Sequence, residues 1–160
     1  MKAFEVKNIK QFMNKLLLSG AFDIFLTEDA TLSVANTFSI DGRINKEFFP
    51  ADEAPSFEFT PWEEIRPVML SLIKGKQTPL GFKISLILKD EFVPGIIKDS
   101  GIDESLIKAL VLNVKYENDR LLLVTGTSYK TFVMDKSLDA LWDSALPRFL
   151  AKNEIDFEEA

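Results

Sequence analysis

The segment Leu72–Gly81, "LIKGKQTPLG", sets two lysines around a glycine ahead of Thr and Pro, the residue types of a phosphate-cradling loop. Its spacing does not fit. A phosphate-binding P-loop needs Gly five residues before Gly75 and Ser or Thr after Lys76, and those positions hold Leu70 and Gln77. The order of elements is also reversed, because a helix precedes the segment and its C-terminal end repels anions. Gly75 reads instead as a helix stop, with Lys74 and Lys76 complementing the dipole and Pro79 preventing restart. A second candidate is "TGTSYKT", Thr125–Thr131, where a Ser near a Lys resembles a nucleophile and its base. A polar edge strand is the plainer account of it. The carboxylates Asp23, Glu28, Asp29, Asp41, Asp90 and Glu91 fall at expected turns, where Asp and Glu are common for backbone reasons, and their spacing matches no EF-hand loop.

The chain contains no His and no Cys. That removes thiol nucleophiles, disulfides, Cys/His zinc sites and a Ser-His-Asp triad. Acid–base chemistry near neutral pH would fall to a shifted carboxylate or Lys. No cofactor motif and no metal-ligand spacing is present, so neither a cofactor nor a metal is expected. The net charge of -6 argues against bulk binding of polyanions and leaves only a local basic patch. One such patch is conceivable: Lys7, Lys10 and Lys15 around the first helix and Arg66, Lys74 and Lys76 around the second would form a nucleic-acid or anion-binding face if the two helices are neighbours. The competing reading is a solvated helix surface. Trp62 is a candidate exposed anchor for a protein partner, against the alternative of a residue at the core edge.

These residues need elements to position them. The 160-residue chain, 46% hydrophobic with 14 Phe, suits one domain with a substantial core. Ala3–Val6 reads as a strand, and Asn8 can cap a helix whose stripe is Ile9, Phe12, Met13, Leu16 and Leu17, ending at Gly20. Phe22, Ile24 and Leu26 alternate in a strand that Glu28-Asp29-Ala30 turns. Leu32 to Ile40 alternate next, and Asp41-Gly42 predicts a hairpin returning through Ile44 and Phe48. Residues 50–56 read as a loop, and Phe57 and Phe59 as a short strand. Thr60, Pro61 and Glu63 form a capping pattern for a helix with Ile65, Val68, Met69, Leu72 and Ile73 on its stripe. Phe82 to Leu88 is a strand, Asp103 opens a short helical turn, and strands around Leu110–Tyr116 and Leu121–Thr125 flank the turn Glu117-Asn118-Asp119. A helix over 136–152 follows, and the acidic tail 153–160 is expected to fray.

Phe4–Asp29 and Phe57–Asp90 align: Phe4-Glu5-Val6 with Phe57-Glu58-Phe59, the two helix stripes with each other, and Phe22, Ile24, Leu26 with Phe82, Ile84, Leu86. The expected fold is therefore α+β, mostly antiparallel sheet. It comprises two β-α-β-β(-β) repeats, 3–49 and 56–134, related by a pseudo-twofold, plus the C-terminal helix, in one domain over 1–152.

"FSIDGRINKEFF" (Phe38–Phe49) and "WEEIRPVMLSLIKGKQTPLGFKISLIL" (Trp62–Leu88) resemble an uncharacterised bacterial family, a domain of unknown function, across most of the chain. That resemblance implies a bacterial cytosolic protein and no assigned activity. The order of elements is similar to one domain of a DNA sliding clamp, in which two helices lie side by side and face DNA. No clamp sequence motif accompanies it. The sequence thus leads to a non-enzymatic, cytoplasmic binding or interaction module, with a protein partner or self-association expected and nucleic-acid association as a further expectation. The alternative is a small enzyme or ligand-binding protein that uses carboxylates or Lys. No apolar run approaches a membrane span.

Overall fold

The computed structural model describes residues 1–73, 75 and 77–160. Among them one antiparallel sheet of eight strands carries four α-helices. In chain order the elements are β1 (Ala3–Val6), α1 (Ile9–Leu18), β2 (Phe25–Ser33), β3 (Thr37–Asp41), β4 (Thr60–Pro61), α2 (Trp62–Ile73), β5 (Gly81–Leu88), α3 (Val93–Ile97), β6 (Ile107–Glu117), β7 (Arg120–Tyr129), α4 (Ser137–Lys152) and β8 (Phe157–Glu159). The strand order is β3-β2-β5-β6-β7-β1-β8, with β4 attached to β2. The fold is α+β, as the sequence indicated.

Strand periodicity divides this sheet into two unlike faces. Residues in register across β2, β5, β6 and β7 form apolar rows on one face. Leu32, Phe82, Tyr116 and Leu121 make one row, and Ala30, Ile84, Val114 and Leu123 another. All eight are buried. A fully buried Leu or Phe side chain contributes about 1.5–3 kcal/mol, so these rows make a large contribution to stability. The α4 helix closes this face over β7. Trp142 donates its indole N–H to Val111 O at 2.8 Å, and Phe25 meets Trp142 and Phe149 edge-on. The opposite face is open, with half-buried Ile87, Val111, Leu122 and Val124 beside exposed Thr31, Lys83 and Lys115.

Several turns differ from expectation. Glu28-Asp29-Ala30 does not turn the chain. It lies inside β2, where the register with β5 slips between Thr27 and Asp29 as a bulge. The β2–β3 turn falls at Val34–Asn36 instead. Asp41-Gly42 is no hairpin, since neither residue has positive φ. A Cβ on Gly42 would lie 1.8 Å from Thr27 O, so this glycine serves the close crossing over the bulge. Ile44 and Phe48 belong to no strand, and Lys46–Phe48 is a 3₁₀ turn. The positive-φ pair is Asn118 (53°) and Asp119 (60°), the two-residue turn joining β6 to β7. Thr60 does not cap α2. It pairs with β2, and its hydroxyl donates to Gly42 O at 3.0 Å.

The tail is not frayed. Ile155 is buried, and β8 pairs with β1 through Phe4↔Glu159 and Val6↔Phe157. Phe157 packs edge-on against Phe4 at 5.6 Å. The apolar content of "IDF" anchors a segment that its charge alone suggested would be loose.

Candidate functional site

The α1 and α2 helices lie side by side on the buried face. Asn8 caps α1 by accepting from Gln11 N–H at 3.0 Å, as its residue type implies. Trp62, the first residue of α2, is fully buried and donates its indole N–H to Leu16 O at 3.0 Å, in the last turn of α1. Trp62 is therefore not an exposed partner anchor. Its bulk and single donor lock the two helices together, and burial with the donor satisfied is the favourable state for an indole.

The basic residues do not converge on one cationic face. Lys7 sits past β1 and pairs with Glu158 at 3.5 Å. Arg66 makes a two-pronged contact with Asp23, Nε to Oδ1 at 3.0 Å and Nη2 to Oδ2 at 3.1 Å. That contact raises the Arg66 pKa and neutralises its charge locally. Lys10 and Lys15 stand on α1, Lys10 exposed and Lys15 half-buried. The start of α2 contributes Glu63 and Glu64. Lys74 and Lys76 lie outside the described residues.

The two helices enclose an apolar cleft of about 240 Å³. Ile9, Met13 and Leu17 of α1 face Leu70 and Ile73 of α2, with Pro79 closing one end. Its floor is the stacked pair Phe82 and Tyr116, ring centroids 5.4 Å apart. Asn14 and Thr78 supply the polar edge, and Leu18, 60% exposed, and Leu70, 37% exposed, stand at the mouth. Leu18 and Leu70 carry the apolar lining of the recess to the surface, and concavity with mostly apolar lining is the character of a binding site. Composition alone did not reveal this cleft, because Ile9, Met13, Leu17 and Ile73 sit on stripes that read as ordinary core.

Two further arrangements concern the chemistry-bearing residues. Thr125, Thr127 and Tyr129 point at α4, not into a catalytic pocket. Thr125 hydrogen-bonds Asp143, while Thr127 and Tyr129 share Asp139 Oδ1, the Tyr at 3.2 Å. Desolvation and the neighbouring Asp139 push the Tyr129 hydroxyl pKa up, which favours its neutral, donating form. Ser128 and Lys130 are not part of this seam. Separately, Asp90, Glu104, Lys108 and Lys130 surround a recess of about 380 Å³ floored by Leu88, Val93 and Leu110. Among the described residues no cluster of three or more carboxylates is placed to hold a metal ion, and no helix is long and apolar enough to cross a membrane.

The chain belongs to a protein family of unknown function, DUF5721, whose model matches residues 15–158. No curated protein and no solved structure matches it.

Proposed function

We propose that this member of the family is a non-enzymatic binding module whose α1–α2 cleft receives apolar side chains of a protein partner. The observation that carries this reading is the recess lined by Ile9, Met13, Leu17, Leu70 and Ile73, with Leu18 left at its mouth. Leu18 buried against a partner gains the transfer free energy that solvent denies it. A bacterial cytosolic setting accompanies this reading. So does an origin by duplication, supported by the antiparallel neighbours β2 and β5 at the centre of the sheet and by the contact of α1 with α2. The sliding-clamp likeness rests on that order of elements alone. Nucleic-acid association draws less support, since Lys7 and Arg66 are engaged by carboxylates. It predicts retention on DNA or RNA at low salt, where such binding is strongest. The alternative of a ligand-binding protein or small enzyme draws on the mixed-charge recess at Asp90, Glu104, Lys108 and Lys130.

The dye 8-anilinonaphthalene-1-sulfonate tests the cleft. The native chain is expected to enhance its fluorescence, and Leu18→Glu, at an exposed position, is expected to abolish that response while leaving the far-ultraviolet spectrum unchanged. An undiminished response in Leu18→Glu would shift the apolar binding to the loop residues Phe48, Phe132 and Met134, which are also exposed, and would contradict the reading.

A further inference from the structure

The open face of the sheet sets like charges directly opposite one another. Lys83 of β5 is in register with Lys115 of β6, Asp29 of β2 with Asp41 of β3, and Glu5 of β1 with Glu158 of β8. Directly opposed like charges destabilise a sheet, and opposed unlike charges would have been stabilising. The glutamate pair is relieved, because Arg120 holds Glu5 at 2.7 Å and Lys7 holds Glu158 at 3.5 Å. The lysine pair is relieved on one side only. Lys115 meets Glu117 at 3.7 Å, whereas Lys83 has no carboxylate within 4.0 Å among the described residues.

The lysine pair lies in a recess. Thr31 is in register with Lys83, Ser33 with Gly81, and Gly81 with Glu117, so the next row across the same face continues the site. Gly81 keeps the floor shallow: a Cβ there would meet Tyr116 O at 2.9 Å. The recess is shallow and open to solvent, with a volume of about 390 Å³ and Leu80 as its lip. Lys83, Lys115, Thr31 and Ser33 thus line one recess around Gly81, which has no side chain. An oxyanion placed between the lysines would turn the mutual repulsion into attraction from both sides and accept hydrogen bonds from Thr31 and Ser33. Glu117 opposes it weakly, because its carboxylate already faces Lys115. The helices, where basic residues are more frequent in sequence, do not assemble such a pair. The strand register does.

We propose that Lys83, Lys115, Thr31 and Ser33 form a binding site for a small, doubly charged oxyanion of the phosphate-monoester type. The site is independent of the α1–α2 cleft, since it opens on the other face. Lysine binds phosphate as a point charge, so the site selects charge density over shape.

Thermal unfolding with inorganic phosphate, against sodium chloride at matched ionic strength, tests the assignment. Phosphate is expected to raise the melting temperature in a saturable way that chloride does not reproduce. Lys83→Gln and Lys115→Gln should each weaken the apparent affinity about tenfold, the loss of one charge-assisted hydrogen bond. Lys83→Arg should retain most of it. Phenyl phosphate should compete, which distinguishes a monoester ligand from free phosphate alone. A phosphate response equal to that of chloride would overturn the proposal. So would a response undiminished in both Gln variants, or retention of an oligonucleotide with no response to phosphate. Lys83→Gln and Lys115→Gln are solvent-exposed changes, and a higher phosphate-free melting temperature in either would show that the fold is intact and the repulsion real.

Discussion

Phe82 and Tyr116 face one side of β5 and β6, and Lys83 and Lys115, their immediate neighbours in sequence, face the other. The first pair stacks as the floor of the apolar α1–α2 cleft. The second pair sets like charges in register beside the recess on the open face. One residue of displacement along two paired strands separates a contact that stabilises the fold from one that costs stability. The two faces answer to different demands. The covered face is buried at every position of its rows across β2, β5, β6 and β7 through Leu32 and Ala30. The open face keeps a contact that a change to Thr or Glu would relieve, and such a cost is intelligible when a ligand offsets it.

Substitutions in the two pairs along these strands should affect the two faces in opposite directions. Phe82→Ala should have the largest effect, a loss of about 3–5 kcal/mol in denaturant unfolding, because it removes a buried ring and the cleft floor together. Gly81→Ala places a methyl group against Tyr116 O and should cost about 1–3 kcal/mol by the same measurement. Lys83→Thr should go the other way, stabilising the phosphate-free chain by about 0.2–1 kcal/mol, and this gain should shrink in high salt. If Lys83→Thr destabilised the chain, the two pairs would be alike after all.

The smallest effect concerns Tyr116 itself. Burial, then hydrogen bonding to Asp119, pushes its hydroxyl pKa up. A folded pKa above the unfolded value near 10 gives stability that is complete below pH about 10 and is lost as pH rises through the folded value. Tyr116→Phe should flatten that alkaline limb of a stability–pH profile. The Tyr129 hydroxyl is shifted in the same direction and should leave a residual slope.

Elements with a local physical signature were legible in the sequence. Asn8 capping α1, Asp103 accepting from Ser105 N–H at 3.0 Å and the turn at Asn118-Asp119 are short-range hydrogen-bond and dihedral preferences, and the structure contains all three. Features that depend on a distant strand were not. Asp41-Gly42 carries the residue types of a tight turn, but Gly42 answers to the backbone of Thr27, fifteen positions away in the chain. Glu28–Ala30 looks polar enough to turn, and the bulge absorbs it within β2. Trp62 near a helix start fitted both a surface anchor and a residue at the core edge, and the packing of α1 against it decides for burial. The α1–α2 cleft and the recess at Lys83 and Lys115 were hidden for the same reason. Each is built from residues brought together by register or helix packing, and no stretch of the chain contains either.

A photo-crosslinking amino acid at Asn14, on the edge of the α1–α2 cleft, tests whether the cleft receives a protein partner when the protein is expressed in its native cells. A discrete protein adduct is expected from position 14 that disappears when Leu18→Glu is added and does not form from the control position Lys152 at the end of α4. The same adducts from both positions, or an adduct from position 14 that persists in Leu18→Glu, would contradict it.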